Sequence, residues 1–170
     1  SSGIQKGVAV ATGQINPETD EPIYETKFLQ TQNTISIGSG AITGYFDSDN
    51  NTAIGNYAIA IGTNSSALSA GSIAFGLQSD ASELGSTAIG AFAAATGVNS
   101  SAFGRNSLAS ARNSTALGRL SKATGNYSSA VGSQAEAAGR NSTAIGAIAK
   151  SSASWSTAIG TRAQATKYAA

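Results

Sequence analysis

One spacing limits what this chain can become. From Tyr57 onward a glycine recurs at every fourteenth position: Gly62, Gly76, Gly90, Gly104, Gly118, Gly132, Gly146 and Gly160. The residue two before each is alanine, from Ala60 to Ala158. The residue immediately before is always large and apolar: Ile61, Phe75, Ile89, Phe103, Leu117, Val131, Ile145 and Ile159. A repeat this short cannot hold a helix-turn-helix unit, and the large residues follow no heptad. The length suits one coil of a β-solenoid, with two strands of about five residues and two tight turns. Seven steps of about 4.8 Å then make the regular part roughly 34 Å long.

Composition agrees with an array rather than an ordinary domain. Charged residues are 11% of the 170, against about 25% in a typical domain; Gly, Ser, Ala and Asn take their place. A disordered linker shares that bias, but linkers do not hold apolar residues in fixed columns. There is no Cys and no His, which removes disulfides, thiolate chemistry, the common zinc sites and the usual catalytic triads. The longest apolar run, Ala91 to Ala95, is far too short to span a bilayer. No signal peptide opens the chain, and Ser1-Ser2-Gly3 reads as the start of a fragment.

Three regions follow from the pattern. Residues 1–33 lack the repeat; Val8 to Ala11 and Ile23 to Phe28 read as strands around the acidic turn from Asn16 to Pro22, an irregular cap or hairpin protecting the end of a solenoid. Residues 34–166 carry the repeat. The interval from Gly38 to Gly62 exceeds one coil by ten positions, which places an insertion near residues 44–56. Whether Gly55 closes a coil of its own stays open. Residues 167–170 read as the start of a neck or linker.

Within a coil the first strand runs up to the glycine and the second covers the third to sixth residues after it. The third and fifth residues after it are Ala or Ser throughout and share a face. The fourth, which includes Asp80, Lys122, Glu136 and Lys150, faces water. The glycine itself marks a left-handed or closely approached backbone. Five before it stand Gly71, Gly85, Asn99, Asn113 and Asn141, residues that tolerate positive φ. Tyr57, Tyr127 and Trp155 interrupt that column, and the preceding Asn56 and Asn126 suggest a turn slipped by one at the tyrosines.

The stretches Asn99-Ser100-Ser101-Ala102-Phe103-Gly104-Arg105-Asn106-Ser107 and Asn113-Ser114-Thr115-Ala116-Leu117-Gly118-Arg119-Leu120-Ser121 resemble the Asn-Ser-Val-Ala-Ile-Gly-x-x-Ser repeat of the Yersinia-adhesin-like head. That head belongs to the trimeric autotransporter adhesins of Gram-negative bacteria. The resemblance covers residues 34–166. It implies an all-β fold, a left-handed parallel β-roll of 14-residue coils in a homotrimer, and attachment to a host matrix protein, a glycan or cells, a role in virulence. It also implies a position on the cell surface, anchored in the outer membrane through a C-terminal region not visible in this sequence, as the family's neck, stalk and barrel are not. The family's Val is Ser or Thr in six of these coils, and because Val-containing repeats are linked to collagen binding in relatives, collagen is in doubt as the ligand.

The residues independently favour an oligomer. Neither face of the first strand reads as a charged surface, so one faces the coil interior and the other sister chains. The expected core is the large column, Ile61 to Ile159, opposite the small residues of the second strand, with the Ala column approaching the three-fold axis; the reverse assignment stays open.

Catalysis has little to work with. No pair of carboxylates recurs on a coil face, as hydrolysis of a glycan would need, so the chain is read as a non-enzyme without cofactor or metal. Asp47-Ser48-Asp49-Asn50-Asn51 resembles the start of a calcium loop but lacks its later Gly and Glu, having Thr52 and Ala58 there. The column Thr87, Thr115, Thr143 and Thr157 is similar to the ranked threonines of ice-binding solenoids, but Ser101 and Ser129 interrupt it. A structural spacer without a ligand is the other alternative. Nothing points to nucleic acid or to membrane contact by this segment. Charge is uneven: residues 1–100 hold two lysines against eight acids (net −6), and residues 101–170 hold eight cations against Glu136 (net +7). The basic half, led by Arg105, Arg112, Arg119 and Lys122, is the candidate ligand-binding surface.

Overall fold

Alternation along each short strand decides which residues are hidden. The computed structural model describes residues 8–15, 22–27, 34–43, 45–46, 53–54 and 56–167, with side chains in 34–43 and 56–167. Each coil contributes one strand of three residues, such as Ser101–Phe103, and one of two, such as Leu108–Ala109. The longer strands stack in parallel into one nine-stranded sheet and the shorter ones into a second. Register never slips: Ala88, Ala102 and Ala116 are successive partners, as are Ile89, Phe103 and Leu117. The result is a parallel β-solenoid of 14-residue coils.

The insertion leaves this register intact. Ile35–Ile37 pairs directly with Ile59–Ile61, and Ile42–Thr43 with Ser66–Ala67. The additional positions thus separate these two coils in the sequence but not in the strand pairing. Ala53–Ile54 pairs antiparallel with Tyr45–Phe46, not with a coil, so it does not form a coil of its own. Val8–Ile15 pairs antiparallel with Pro22–Lys27.

The core is not where the large residues stand, and the expected assignment is corrected. Ala60, Ala74, Ala88, Ala102, Ala116, Ala130, Ala144 and Ala158 fill the interior. With them are the small residues of the second strand and the Ala58 and Ser72 to Ser156 column four before each glycine. Ile61, Phe75, Ile89, Phe103, Leu117, Val131, Ile145 and Ile159 point outward instead; Phe75 is 51% and Ile159 68% exposed. The physical reason is volume. Both walls of a coil carry only Ala and Ser, so the gap between the sheets has no room for an Ile or Phe, and a period of two sends the neighbours of an inward alanine out.

Buried serines close the turns they stand in. The Ser107 hydroxyl donates to the Gly104 carbonyl at 2.8 Å, and the Ser114 hydroxyl to the Ala111 carbonyl at 2.6 Å. The same bond recurs at Ser65, Ser79 and Ser121 and at Ser72, Ser86 and Ser156. Each satisfies a hydroxyl that burial would otherwise penalise. Ser128 and Ser142, whose turns hold Gly125 and Gly139, have hydroxyls without a partner.

The glycine column needs glycine twice over. Gly104 has φ +127°, and a Cβ on it would lie 2.6 Å from the Gly118 carbonyl oxygen of the next coil. The same holds from Gly62 to Gly146, while Gly160, with no following glycine above it, keeps only the positive φ of 120°.

Candidate functional site

A solenoid offers four surfaces: the outer face of each sheet and the two rows of turns. The outer face of the first sheet carries the large column from Ile37 to Ile159 and beside it Ile35, Ile59, Ile73, Thr87, Ser101, Thr115, Ser129, Thr143 and Thr157. No charged residue interrupts it. The Thr column considered for ice binding thus lies beside isoleucine and phenylalanine, not on a flat hydroxyl surface.

Charge collects on the other sheet. Lys122, Glu136 and Lys150 are successive register partners, and Lys150 Nζ lies 3.1 Å from Glu136 Oε2. Both side chains are well exposed, so the pair is worth little. Asp80 stands in the same column between Ser66 and Ala94, without a cation as register partner. Partial burial pushes its carboxyl above the usual carboxylate range, opposed by a hydrogen bond with Ser82. The folded state therefore holds that proton to higher pH than the unfolded chain, and stability falls as pH rises through the window between them. Asp80→Asn is expected to melt slightly above the native chain at pH 7, with the gap closing in acid; a gap that widens in acid would contradict this environment.

The four candidate basic residues do not form one patch. Arg105 and Arg119 each follow a coil glycine, so they sit in adjacent coils on one row of turns. Arg112 belongs to the opposite row, where its amide donates to the Asn126 Oδ1 at 3.3 Å. Lys122 is on the outer face of the second sheet. The reason is the period: positions seven apart fall half a coil apart.

Both rows of turns hold left-handed residues, and one row was not foreseen. Tyr57, Tyr127 and Trp155 have φ 59°, 59° and 62°; the expected slip does not occur, and the aromatic residues take the strained conformation themselves. In the other row Asn64, Gln78, Phe92, Asn106, Leu120, Gln134, Ile148 and Arg162 all have positive φ. The signal for it was Asn64 and Asn106, obscured by the bulky residues between them. Among the described residues no three acidic, His or Cys side chains cluster as a metal site would require. The Asp47 to Asn51 stretch lies outside the described residues.

Comparison with known families supports the same periodicity. The model of the YadA head domain repeat, two copies long, matches seven times in overlapping windows, from residues 53–79 and 67–93 through to 137–163. Each window starts one coil further along the solenoid than the last. A search of the curated proteins finds no match. The family is of a structural, adhesin kind and not a known enzyme family. With the repeat covering residues 53–163 and the coils stacked as parallel β-strands throughout, the chain belongs to the YadA head family, as a head segment of the trimeric autotransporter adhesin type.

Proposed function

We propose that this segment acts as a homotrimeric head, a left-handed β-roll at the bacterial cell surface that attaches its bearer to host extracellular matrix or cells. The observation that carries the proposal is the uncharged stripe on the outer face of the first sheet, where Phe75, Leu117 and Ile159 among others stand exposed. A patch this long and apolar is uncommon on a monomer. Three such stripes meeting on an axis leave water together, while the charged column of the second sheet stays outside. Anchoring in the outer membrane falls to a C-terminal region of the kind the family carries.

The test is mass and attachment measured together. The native segment is expected to scatter light as a trimer and to bind matrix-coated surfaces. Ile145→Asp, which would set three carboxylates around the axis, is expected to yield a folded monomer that no longer attaches. A native monomer, alone and when fused to a trimeric coiled coil, overturns the assembly. A trimer that attaches to nothing is a spacer.

Contact with an acidic glycan or matrix protein is assigned to the basic half, with Arg105 and Arg119 on one row of turns and Arg112 and Lys122 contributing separately. Attachment is expected to weaken when Arg105 and Arg119 are both changed to Glu. It should also weaken with salt, as the Debye length falls from about 10 Å at 0.1 M to about 3 Å at 1 M. Attachment indifferent to both changes excludes this surface.

A further inference from the structure

The outer face of the second sheet carries cations in an order that the fold does not require. Lys122 and Lys150 stand in one column of this face, in the coils of Gly118 and Gly146, with Glu136 between them. In the coils of Gly104 and Gly132 the cation stands instead at the far edge of the face. It is Arg112 or Arg140, four residues further along the coil than the lysine column. These two share a row with Asn126: the Arg112 carbonyl accepts from the Tyr127 amide and the Asn126 carbonyl from the Asn141 amide, one coil on each time. All four cations are exposed. Successive coils thus present Arg112, Lys122, Arg140 and Lys150, alternating between two columns and rising about 4.8 Å at each step. Cations in the same column are about 9.6 Å apart.

Between the two columns the floor is small and open. Ser110, Thr124, Ala138 and Ser152, each two residues beyond the lysine column, are exposed in all four coils. The residues after them are Ala111, Gly125, Gly139 and Ala153. Backbone bonds keep the floor in register, from the Ser110 amide to the Ala123 carbonyl and from the Thr124 amide to the Ala137 carbonyl. The result is a flat strip with hydroxyls along it. Its two borders are four residues apart, on the order of 13 Å. Arg and Lys have stems long enough to lean over it from both sides. The strip has an end: in the coil of Gly76 the lysine column holds Asp80 and the floor holds the exposed Glu83, which repel an anion. It also has a competitor, since Glu136 lies 3.1 Å from Lys150 Nζ and offsets part of the positive charge.

We infer that this strip binds an acidic polysaccharide lying along the solenoid, parallel to its long axis. The inference rests on the reading that the basic half meets an acidic partner, and deepens it by naming the ligand class and the surface that holds it. A linear chain of sugars suits the shape. It needs no pocket, its hydroxyls can bond to those of Ser110, Thr124 and Ser152, and its anionic groups recur along its length. The interval between cations of one column is on the order of a disaccharide, so acidic groups on alternate sugars meet the same column. Duplex nucleic acid fits worse, because it carries one negative charge per about 1.7 Å of axis, far denser than one cation per coil. Single strands are held largely by stacking on aromatic residues, and the outward columns of these four coils have none. With the first sheets turned to a three-fold axis, the second sheet of each chain faces outward, so three strips stay open to ligand.

Heparin is the probe, titrated against the native segment in the oligomeric state it adopts, with a single-stranded oligonucleotide and polyglutamate as competing polyanions. The native segment is expected to bind heparin more tightly than either. Arg112→Gln with Arg140→Gln, and separately Lys122→Gln with Lys150→Gln, should each weaken heparin binding about five-fold or more, the order expected for two exposed charge contacts. Each pair should also flatten the dependence of log K on log salt, because fewer counterions are released. Glu136→Gln should tighten binding by freeing Lys150. Arg105→Gln with Arg119→Gln removes the same charge from another surface and should weaken heparin less than either strip pair. All the substituted residues are on the surface, so circular dichroism is expected to show unchanged strand content. If heparin binding follows Arg105 and Arg119 and ignores both strip pairs, the strip is overturned while the acidic-partner reading stands. Tighter binding of the oligonucleotide or of polyglutamate through the strip residues overturns the polysaccharide class. A native segment that binds none of the three polyanions overturns both the strip and the reading beneath it.

Discussion

Replacing Ala102 by leucine is expected to destabilise the segment by about 3 kcal/mol or more, at the upper end of what overpacking costs. Ala102 is fully buried, with Ala88 and Ala116 as its register partners and Ser107 and Ala109 buried in the same coil. No large side chain exists inside the coil that could change rotamer to make room. The extra carbons must therefore push the two sheets apart, and each coil touches only its neighbours, so the array weakens at that point. Phe103→Ala, one residue along, is expected to cost the chain's own fold much less, because Phe103 lies on the outer face; its loss should appear in assembly. Thermal and urea melts at low concentration, where the chains are separate, check the ranking. If Phe103→Ala is the more damaging under those conditions, the large column lines the interior after all.

Gly104→Ala should be nearly as harmful, and for two separable reasons. The left-handed φ of +127° strains any residue with a Cβ, a term of about 1–3 kcal/mol. In addition that Cβ would lie 2.6 Å from the Gly118 carbonyl oxygen, a backbone atom that cannot turn aside. Gly160→Ala isolates the first reason: φ is +120°, and the nearest atom to an added Cβ is the Ala163 Cβ at 3.9 Å. Gly104→Ala is thus expected to cost about twice as much as Gly160→Ala in a denaturant series. Equal losses would mean that backbone conformation alone explains the glycine column and that the coils can part to admit a methyl group.

Much of the fold was legible in the sequence because a solenoid repeats its physics from coil to coil. The glycine spacing set the coil length, and the columns around it set strand, turn and register. The overlong interval between Gly38 and Gly62 pointed to extra residues there, and Ile35–Ile37 pairs directly with Ile59–Ile61. Even the dispersal of Arg105, Arg112 and Arg119 was readable, since seven positions are half a coil; charge counted along the sequence hid it. Which side of the first strand faces inward was not legible. Alternation divides Ala102 from Ser101 and Phe103, but both faces lack charge, so polarity gave no sign. Only the opposite wall decides, and Ser107 and Ala109 leave space for a methyl group and no more. Tyr127 and Trp155 at left-handed φ were likewise beyond local propensity, which at Tyr127 would have moved the turn to the preceding Asn126. The backbone there is held by the coil before it, through the Tyr127 amide to the Arg112 carbonyl and the Trp155 amide to the Arg140 carbonyl. A stack of identical coils dictates the turn geometry, and the side chain must accept it.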